Sequence, residues 1–219
     1  MIKINEPISI IISAFNEEKN IAKVLKVLEK VDWIDEIIVV DDASSDKTGE
    51  VAKKYSVKYL CHDKNQGKGG AMATGIKAAK HDVLLFLDAD LVGLTEDHLL
   101  SILAPICFTR EADLSLGVFG LDEMKTTNIM NKAFPSISGQ RAIRKKYLPP
   151  IDQIATQRYG VDYFITNNVP KNRRTITTLH NLTQVMKEEK YKNVMEGVKK
   201  RIKMYQEILK TMKELNDES

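Results

Sequence analysis

Residues 83–90 read Val-Leu-Leu-Phe-Leu-Asp-Ala-Asp, five apolar residues followed by two carboxylates one residue apart. An unbroken apolar run of this length predicts a strand that is covered on both faces, as in a parallel sheet. Residues 8–14, Ile-Ser-Ile-Ile-Ile-Ser-Ala, have the same β-branched and largely apolar character. We therefore expect both segments to be inner strands of one sheet.

The first half of the chain alternates between the periods of strands and helices. Strands are expected at 8–14, 36–40, 57–61 and 83–87, and helices follow them from Asn16, from Ser44, over 71–80 and from Thr95. Alternation of this kind predicts parallel crossovers with helices on the sheet faces. Such sheets bind ligands beyond the carboxyl ends of their strands, so the loops at those ends are the candidate site.

The second half is less regular. Strands are expected at 112–119, 161–166 and 175–179, a polar mobile loop at 120–134, and a short helix at 140–148 that ends at two prolines. From Tyr191 a long helix is expected, with one apolar face and lysines opposite it. The apolar face comprises Val194, Val198, Ile202, Tyr205, Leu209 and Met212. The whole of 1–219 is predicted to be one α/β domain with a mostly parallel sheet flanked by helices.

Composition excludes several classes of protein. Thirty-three Lys and Arg against thirty Asp and Glu leave a net charge of +3, which argues against a nucleic-acid binder. No run of eighteen apolar residues is present, and the first residues lack the cationic segment of a secretory signal. Cys61 and Cys107 lack CxxC spacing, so we expect reduced thiols in a cytoplasmic protein.

Three polar motifs follow the predicted strands. Asp88 and Asp90 are hard oxygen ligands suited to Mg²⁺ or Mn²⁺, although this tripeptide alone also fits a solvated turn. Asp41 and Asp42 can accept hydrogen bonds from a base or ribose, or can cap the next helix. The stretch 65–71 places glycines and Lys68 before a helix, which suits an anion, although the order of a P-loop is absent.

The quoted motifs resemble those of family 2 glycosyltransferases, which have the GT-A fold. The matching stretches are SIIISAFNEEKNI at 9–21, EIIVVDDASSDKTGEVA at 36–52, NQGKGGAMATGIKAA at 65–79, DVLLFLDADL at 82–91 and SGQRAIRKKYL at 138–148. Within this family the chain is similar to bacterial polyprenyl-phosphate hexosyltransferases and glucosyl-3-phosphoglycerate synthases. The resemblance implies a nucleotide-binding half at 1–110, an acceptor-side half at 111–180 and a helical segment at 181–219.

The resemblance also implies an activity and a donor site. The expected reaction is metal-dependent transfer of a hexose from a nucleoside-diphosphate sugar to an acceptor hydroxyl or phosphate, such as polyprenyl phosphate or a small phosphorylated molecule. The implied donor-binding residues are Ala14, Asn16, Glu17, Asp41, Asp42, Gly67, Lys68, Asp88, Ala89, Asp90 and Arg144. Among them, Asp42 is expected to hold the base and Lys68 to lie near the diphosphate.

Metal, acceptor and catalytic roles follow from the same resemblance. Mn²⁺ or Mg²⁺ is expected on Asp90 and Asp88, with His180 completing the ligand set. The acceptor is expected to meet Ser138, Gly139, Gln140 and Asp162. Asp162, Asp88 and Arg141 are the implied catalytic residues, with an arginine neutralising the leaving diphosphate. Asp162 stands where the family usually has Glu, one methylene longer.

Two other functions fit the same class of fold. A nucleotidyltransferase shares the α/β style and metal chemistry, but typically has a Gly- and Arg-rich loop where this chain has Phe-Asn-Glu-Glu at 15–18. A non-catalytic nucleotide-sugar-binding module is the second alternative. The basic carboxyl-terminal helix is expected to pack on its own domain or on a twin subunit in a homodimer, and peripheral contact with an anionic membrane is the alternative.

Overall fold

A computed structural model describes residues 4, 6–120, 126–186, 190 and 194–217. Its strands are β1 Ile8–Ala14, β2 Glu36–Asp41, β3 Lys58–Cys61, β4 Val83–Asp88, β5 Leu91–Val92, β6 Leu114–Phe119, β7 Arg141–Arg144, β8 Arg174–Leu179 and β9 Thr183–Gln184. Its helices are α1 Ile21–Leu28, α2 Thr48–Ala52, α3 Gly67–Ala78, α4 Glu96–Cys107, α5 Thr126–Ala133, α6 Ile151–Thr156, α7 Val161–Asn167 and α8 Val194–Asp217.

Seven strands form the central sheet in the order β3-β2-β1-β4-β7-β6-β8. The first four are mutually parallel, as the alternating sequence predicted. β7 pairs antiparallel with both β4 and β6, while β6 and β8 are parallel to each other. The order reverses beside β1, where a chain that has built outward through β2 and β3 returns to form β4, and such a reversal opens a crevice at the carboxyl ends.

Apolar side chains on alternating positions of β1 fill two cores, one on each face of the sheet. Ile10 and Ile12 pack with residues of α1 and α4, whereas Ile11 packs with residues of α3, α6 and α7. All three isoleucines are fully buried. This two-sided burial is the reason that β1 reads as an almost continuous apolar run.

Local structure differs from the sequence expectation at 140–148. The expected helix is wrong, because Arg141–Arg144 form strand β7 and only Lys145–Tyr147 make a 3-10 turn. Ala142 and Ile143 are completely buried between β4 and β6. Pairing on both edges satisfies the backbone of this segment, and that tertiary gain outweighs local helix propensity.

Two more expectations for the second half are wrong. Residues 161–166 were expected to form a strand but belong to helix α7, whose buried Val161, Phe164 and Ile165 follow i, i+3, i+4 spacing. Part of the expected loop 120–134 is helix α5, and residues 121–125 lie outside the described part. The buried contacts of α5 are polar, since the Asn128 amide donates to the Gly120 carbonyl and Phe119 N–H donates to Asn131.

Helix α8 packs on the domain through a different face from the one expected. Gly197, Ile208 and Thr211 are buried, whereas Ile202 and Leu209 are 52% and 62% exposed. Gly160 allows the close approach of α8, because a Cβ at that position would overlap Thr211. The stripe at 198–212 therefore faces mainly outward or along the edge of the contact. No helix in the described ranges combines the length and apolar character needed to cross a bilayer.

Candidate functional site

A cleft with a volume of about 990 Å³ opens at the carboxyl ends of β1 and β4. The loops after β1 and β4 and the start of α3 form its floor, and α8 forms part of one wall. In register, Asp88 lies opposite Ser13, and Asp41 lies opposite Ala14. The parallel register thus brings the ends of β1, β2 and β4 to one edge, as the sequence predicted.

Asp88 is held by donors from three separate segments. Its carboxylate accepts from Lys68 Nζ at 2.8 Å, from Gln140 Nε2 at 2.7 Å and from Gln184 Nε2 at 3.3 Å. Burial alone would raise the pKa of Asp88, but the Lys68 ammonium and these hydrogen bonds outweigh it and lower that pKa. Asp88 is therefore ionised at neutral pH. A side chain larger than hydrogen at Gly139 would overlap its carboxylate.

Lys68 links Asp88 to the second half of the chain. Its Nζ also donates to Asp162 Oδ2 at 2.7 Å. Burial would lower the pKa of Lys68, but the charges of Asp162 and Asp88 raise it instead, so the ammonium stays charged. From the described residues Asp162 Oδ1 accepts no hydrogen bond, although it lies 3.2 Å from Arg141 in an ion pair. Asp162 thus forms ion pairs with two cations, Lys68 and Arg141.

Arg141 is a buried support for Asp162. The side chain is completely buried and donates to the carbonyls of Ser138 and Asp162 and to Thr166 Oγ1. Burial lowers its pKa, which the charges of Asp162 and Asp88 oppose. Arg141 is not among the residues that line the cleft, so it would act through the groups it holds, and its catalytic role stays a prediction.

Asp90 meets a different set of partners. It is 2% exposed and accepts from Gln184 Nε2 at 2.7 Å and from the ammonium of Lys190. Lys190 also donates to Glu17, whose pKa is raised, chiefly by burial and also by the charge of Asp90. Burial would lower the pKa of Lys190, but the two carboxylates raise it. The ammonium therefore lies between two acids that follow separate strands, Glu17 after β1 and Asp90 after β4.

The acids after β2 organise loops. Asp42 accepts from the N–H groups of Gln66 and Gly67 at 2.8 and 2.7 Å, and from a ring nitrogen of His62 at 2.7 Å. Asp42 therefore caps α3, and the first N–H groups that the sequence offered to an anion are occupied by it. Asp41 instead accepts from Ser44 N–H and from the Tyr59 hydroxyl, away from the cleft.

Asn16 does not cap α1 as expected. Its φ of +56° is left-handed, and its side-chain oxygen accepts from the Ser45 N–H at 2.8 Å. The helix begins at Ile21. Asn16 consequently ties the loop after β1 to the loop after β2, and both loops line the cleft.

Most of the expected donor residues do line the cleft. They are Ala14, Asn16, Glu17, Asp42, Gly67, Lys68, Asp88, Ala89 and Asp90, joined by Gly139 and Asp162 from the acceptor-side set. Ser138 and Gln140 are fully buried behind Asp88. Asp41 is also absent from the lining. The structure thus brings the acids together and places part of the acceptor-side set behind them.

Arg144 and His180 lie elsewhere. Arg144 pairs in register with Val83 at the opposite end of β4 and forms an ion pair with Glu6 at 2.7 Å. Its expected donor role is wrong, because β7 runs antiparallel and carries Arg144 away from the cleft. His180 is exposed and does not line the cleft, and its carbonyl faces a ring nitrogen of His98 at 2.8 Å.

Several cleft residues were missing from the expected site. Gln184 and Lys190 contact the acids directly, and the other additions include the basic residues Arg158, Lys200, Arg201 and Lys203. The run of basic residues at 199–203 is visible in the sequence. Nothing near Gln184 marks it in the sequence, since its role depends on the pairing of β9 with β5 beside Asp90.

The chain matches one protein family over most of its length. The family model described as glycosyl transferase family 2 matches residues 9–164, which include the acids at the ends of all the cleft strands. The chain belongs to glycosyl transferase family 2. The mostly parallel central sheet flanked by helices agrees with the GT-A fold that the sequence motifs predicted, and the solved structure described below shares this fold.

Similar proteins share only part of their length with this family member. An uncharacterized protein of Methanocaldococcus jannaschii is 38% identical over 127 residues, which are 57% of this chain and 51% of that protein. Human dolichyl-phosphate beta-glucosyltransferase is 38% identical over 99 residues, 38% of this chain and 31% of that protein. This chain thus spans about half or less of these relatives.

A solved structure agrees over nearly the whole chain. Glucosyl-3-phosphoglycerate synthase from Mycobacterium tuberculosis, in complex with Mn²⁺, UDP and glucosyl-3-phosphoglycerate, matches with a TM-score of 0.72. The match covers 95% of this chain and 79% of that one at 19% identity. At this identity the likeness establishes the shared fold.

Proposed function

We propose that this chain transfers a hexose from a nucleoside-diphosphate sugar to an acceptor hydroxyl or phosphate, with a divalent cation at the cleft. The observation that carries the proposal is the convergence of Asp88, Asp90 and Glu17 at the edge where β1 and β4 end. Membership of glycosyl transferase family 2 supports the reaction class.

The acids fit a divalent cation. The Lys190 ammonium already lies between Asp90 and Glu17, so their oxygens converge on a position suited to positive charge. In the described ranges no cluster of three or more His, Cys, Asp or Glu is arranged to hold an ion alone. Mn²⁺ or Mg²⁺ is therefore proposed to share Asp90 and Asp88 with phosphate oxygens of the donor, which is common for Mg²⁺. A role for His180 stays a prediction.

The chemistry to be assisted is the loss of diphosphate from the anomeric carbon of the sugar. The bond from that carbon to the diphosphate oxygen breaks, and the leaving group gains negative charge. A bound divalent cation supplies a Lewis acid for that charge. Lys68 is proposed to contribute from the floor, with its ammonium oriented by Asp88 and Asp162. Asp162 is the residue proposed to face the acceptor, and Gly139 gives Asp88 the space that it needs.

The opposite wall favours an anionic acceptor. Arg158, Lys200, Arg201 and Lys203 line this part of the cleft together with Glu196 and Glu207, so basic side chains outnumber acidic ones there. Cationic side chains at this position suit the phosphate of an acceptor, whether it is a polyprenyl phosphate or a small phosphorylated molecule. The solved synthase noted above is described in complex with glucosyl-3-phosphoglycerate, a phosphorylated product of that protein.

The test is a donor panel with a matched pair of variants. UDP-, GDP-, CDP- and dTDP-sugars are incubated with Mn²⁺ and either 3-phosphoglycerate or a polyprenyl phosphate, and nucleoside diphosphate release is measured. Asp90→Asn is expected to lower turnover ~10²–10³-fold by removing one charge-stabilising contact. Asp63→Asn, an exposed acid outside the cleft, is the control and is expected to keep full turnover.

Each alternative gives a different result. A nucleotidyltransferase consumes a nucleoside triphosphate and releases pyrophosphate, and a binding module raises the melting temperature with a nucleotide sugar but releases nothing. Full activity in Asp90→Asn would refute the proposed metal position.

We also propose that the outward face of α8 rests on an anionic membrane. Met195, Ile202 and Leu209 lie one heptad apart and are 62%, 52% and 62% exposed. Lys199, Lys210 and Lys213 are exposed on the same side of the helix. Apolar side chains flanked by lysines suit the headgroup region of an anionic bilayer, and the lysines oppose pairing with the same face of a second copy.

Vesicle sedimentation tests this contact. Phosphatidylcholine vesicles containing phosphatidylglycerol are expected to pellet the protein, whereas pure phosphatidylcholine vesicles are not. Ile202→Asp combined with Leu209→Asp is expected to abolish pelleting. A mass that doubles with concentration in light scattering, without vesicle binding, would assign this face to a homodimer instead. The free thiols of Cys61 and Cys107 support the proposal that the cytoplasm is the working compartment.

A further inference from the structure

Lys190 reaches the acids of the cleft from a distant part of the chain. Its ammonium contacts Asp90, 100 positions earlier, and Glu17, 173 positions earlier. The three side chains are 16%, 3% and 10% exposed, respectively. An ion pair with this degree of burial excludes most of the water that would otherwise solvate the carboxylates.

Gln184 is a second side-chain donor to Asp90. Gln184 Nε2 bridges the two acids of the motif, at 2.7 Å from Asp90 and 3.3 Å from Asp88. Gln184 and Lys190 lie six positions apart in the sequence, and they donate to Oδ1 and Oδ2 of Asp90, respectively. Asp88 is additionally paired with Lys68.

One site cannot hold both cations. A divalent cation on Asp90 would lie within a few ångströms of the Lys190 ammonium if that side chain stayed in place, and like charges at such a distance repel strongly where water is excluded. Lys190 donates to Asp90 Oδ2, so a cation bound through that oxygen would have to displace the ammonium. Gln184 presents amide hydrogens to the other oxygen, which a cation would likewise displace.

We propose that Lys190 is an internal counter-ion that occupies the place of the divalent cation, so that this cation binds only when the Lys190 ammonium leaves Asp90 and Glu17. The inference rests on the proposed cation position, but it concerns the chain's own competitor for that position. The apparent affinity for the cation is then reduced by the fraction of molecules in which Lys190 is seated.

Titration of Mn²⁺ alone, without nucleotide or acceptor, tests the competition. Free Mn²⁺ is followed by electron paramagnetic resonance for the wild type, Lys190→Met, Lys190→Arg and Lys54→Met. Removing the competing charge in Lys190→Met is expected to tighten Mn²⁺ binding about tenfold. Lys190→Arg retains a competing cation and is expected to stay near the wild-type value, as is Lys54→Met, which changes an exposed lysine outside the cleft.

Hydrogen exchange on the wild-type protein provides a second measurement that requires no variant. Saturating Mn²⁺ is expected to increase amide exchange at 184–186 and at the start of α8, because Gln184 and Lys190 release the acids. Mn²⁺-free buffer with the same ionic strength is the control. Unchanged exchange with Mn²⁺ bound, or an unchanged or weaker Mn²⁺ affinity in a folded Lys190→Met, would overturn the inference. If Lys190→Met does not fold, the wild-type exchange result decides.

The outcomes separate this inference from the proposed function. Tighter Mn²⁺ binding in Lys190→Met with no sugar transfer from any donor would support the counter-ion and refute the transferase. Transfer in the wild type together with equal Mn²⁺ affinities in all four proteins would do the opposite.

Discussion

The two halves of the sheet divide the work of the cleft between them. Strands β1–β4 are parallel, β1 and β4 are largely apolar, and the carboxyl ends of β1 and β4 present Glu17, Asp88 and Asp90 at one edge. The half that begins at β6 contains the reversed strand β7, short helices and 3-10 turns. That half contributes most of the groups that hold or neutralise the acids, among them Gln140, Gln184 and Lys190, while Lys68 comes from the first half. In this protein the regular parallel strands position the acidic residues, and the less regular second half supplies most of their partners.

The largest expected effect concerns the buried arginine of the irregular half. Arg141→Met is expected to lower the free energy of unfolding by about 3–5 kcal/mol, since it leaves Asp162 buried with one cation removed. Urea denaturation measures the change. Arg144→Met, three residues along the same strand, removes a partly exposed pair with Glu6 and is the control, with an expected loss of about 1 kcal/mol or less. Equal losses would show that burial does not distinguish the two arginines.

A smaller effect is expected where the two halves touch at Gly139. Gly139→Ala is expected to lower turnover about tenfold to a hundredfold, because the added methyl group displaces the Asp88 carboxylate from Lys68. Steady-state kinetics and a melting curve together measure it, with the melting temperature expected to fall only slightly. If the effect acts through Asp88, adding Gly139→Ala to Asp88→Asn should cost little more. Additive losses would separate the two residues.

The smallest effect is expected far from the cleft, at Asp113. Its two oxygens accept from Arg173 at 2.8 and 2.9 Å, and these hydrogen bonds lower the pKa of Asp113 below the ordinary 3.8. The stabilisation is therefore complete above pH 3.8 and is lost as pH falls through the lowered folded-state pKa. Asp113→Asn is expected to reduce the melting temperature slightly at pH 7 and not at all at strongly acidic pH. A difference that persists in acid would contradict the assignment.

The sequence predicted the structure correctly where buried strands leave long apolar runs in it. The apolar runs of β1 and β4 are covered on both faces, so the strands, their parallel order and the edge that carries Asp88 and Asp90 were predictable. The second half was harder to predict because the buried residues of α5 include Asn128 and Asn131, so its sequence lacks a helical repeat of apolar residues. β7 has only four residues and takes its form from neighbours on both sides.

The candidate site was likewise predictable only in part. The acids were recognisable from their position after apolar strands, whereas the partners of those acids depend on pairings that join distant segments. Arg144 illustrates the limit, because a reversal of strand direction carries it to the other end of the sheet. Arg141 illustrates another, since nothing in the sequence distinguishes an arginine that faces a ligand from one that is enclosed in the core.

The separation of 100 positions between Lys190 and Asp90 has a consequence for synthesis on the ribosome. The acids of the first half leave the exit tunnel well before residue 190 is made, so for that interval they lack this ammonium. Closing so long a loop costs chain entropy that only the finished sheet can offset. Seating of Lys190 is therefore expected to be a late event in folding, and a divalent cation in the cell has access to the nascent acids first.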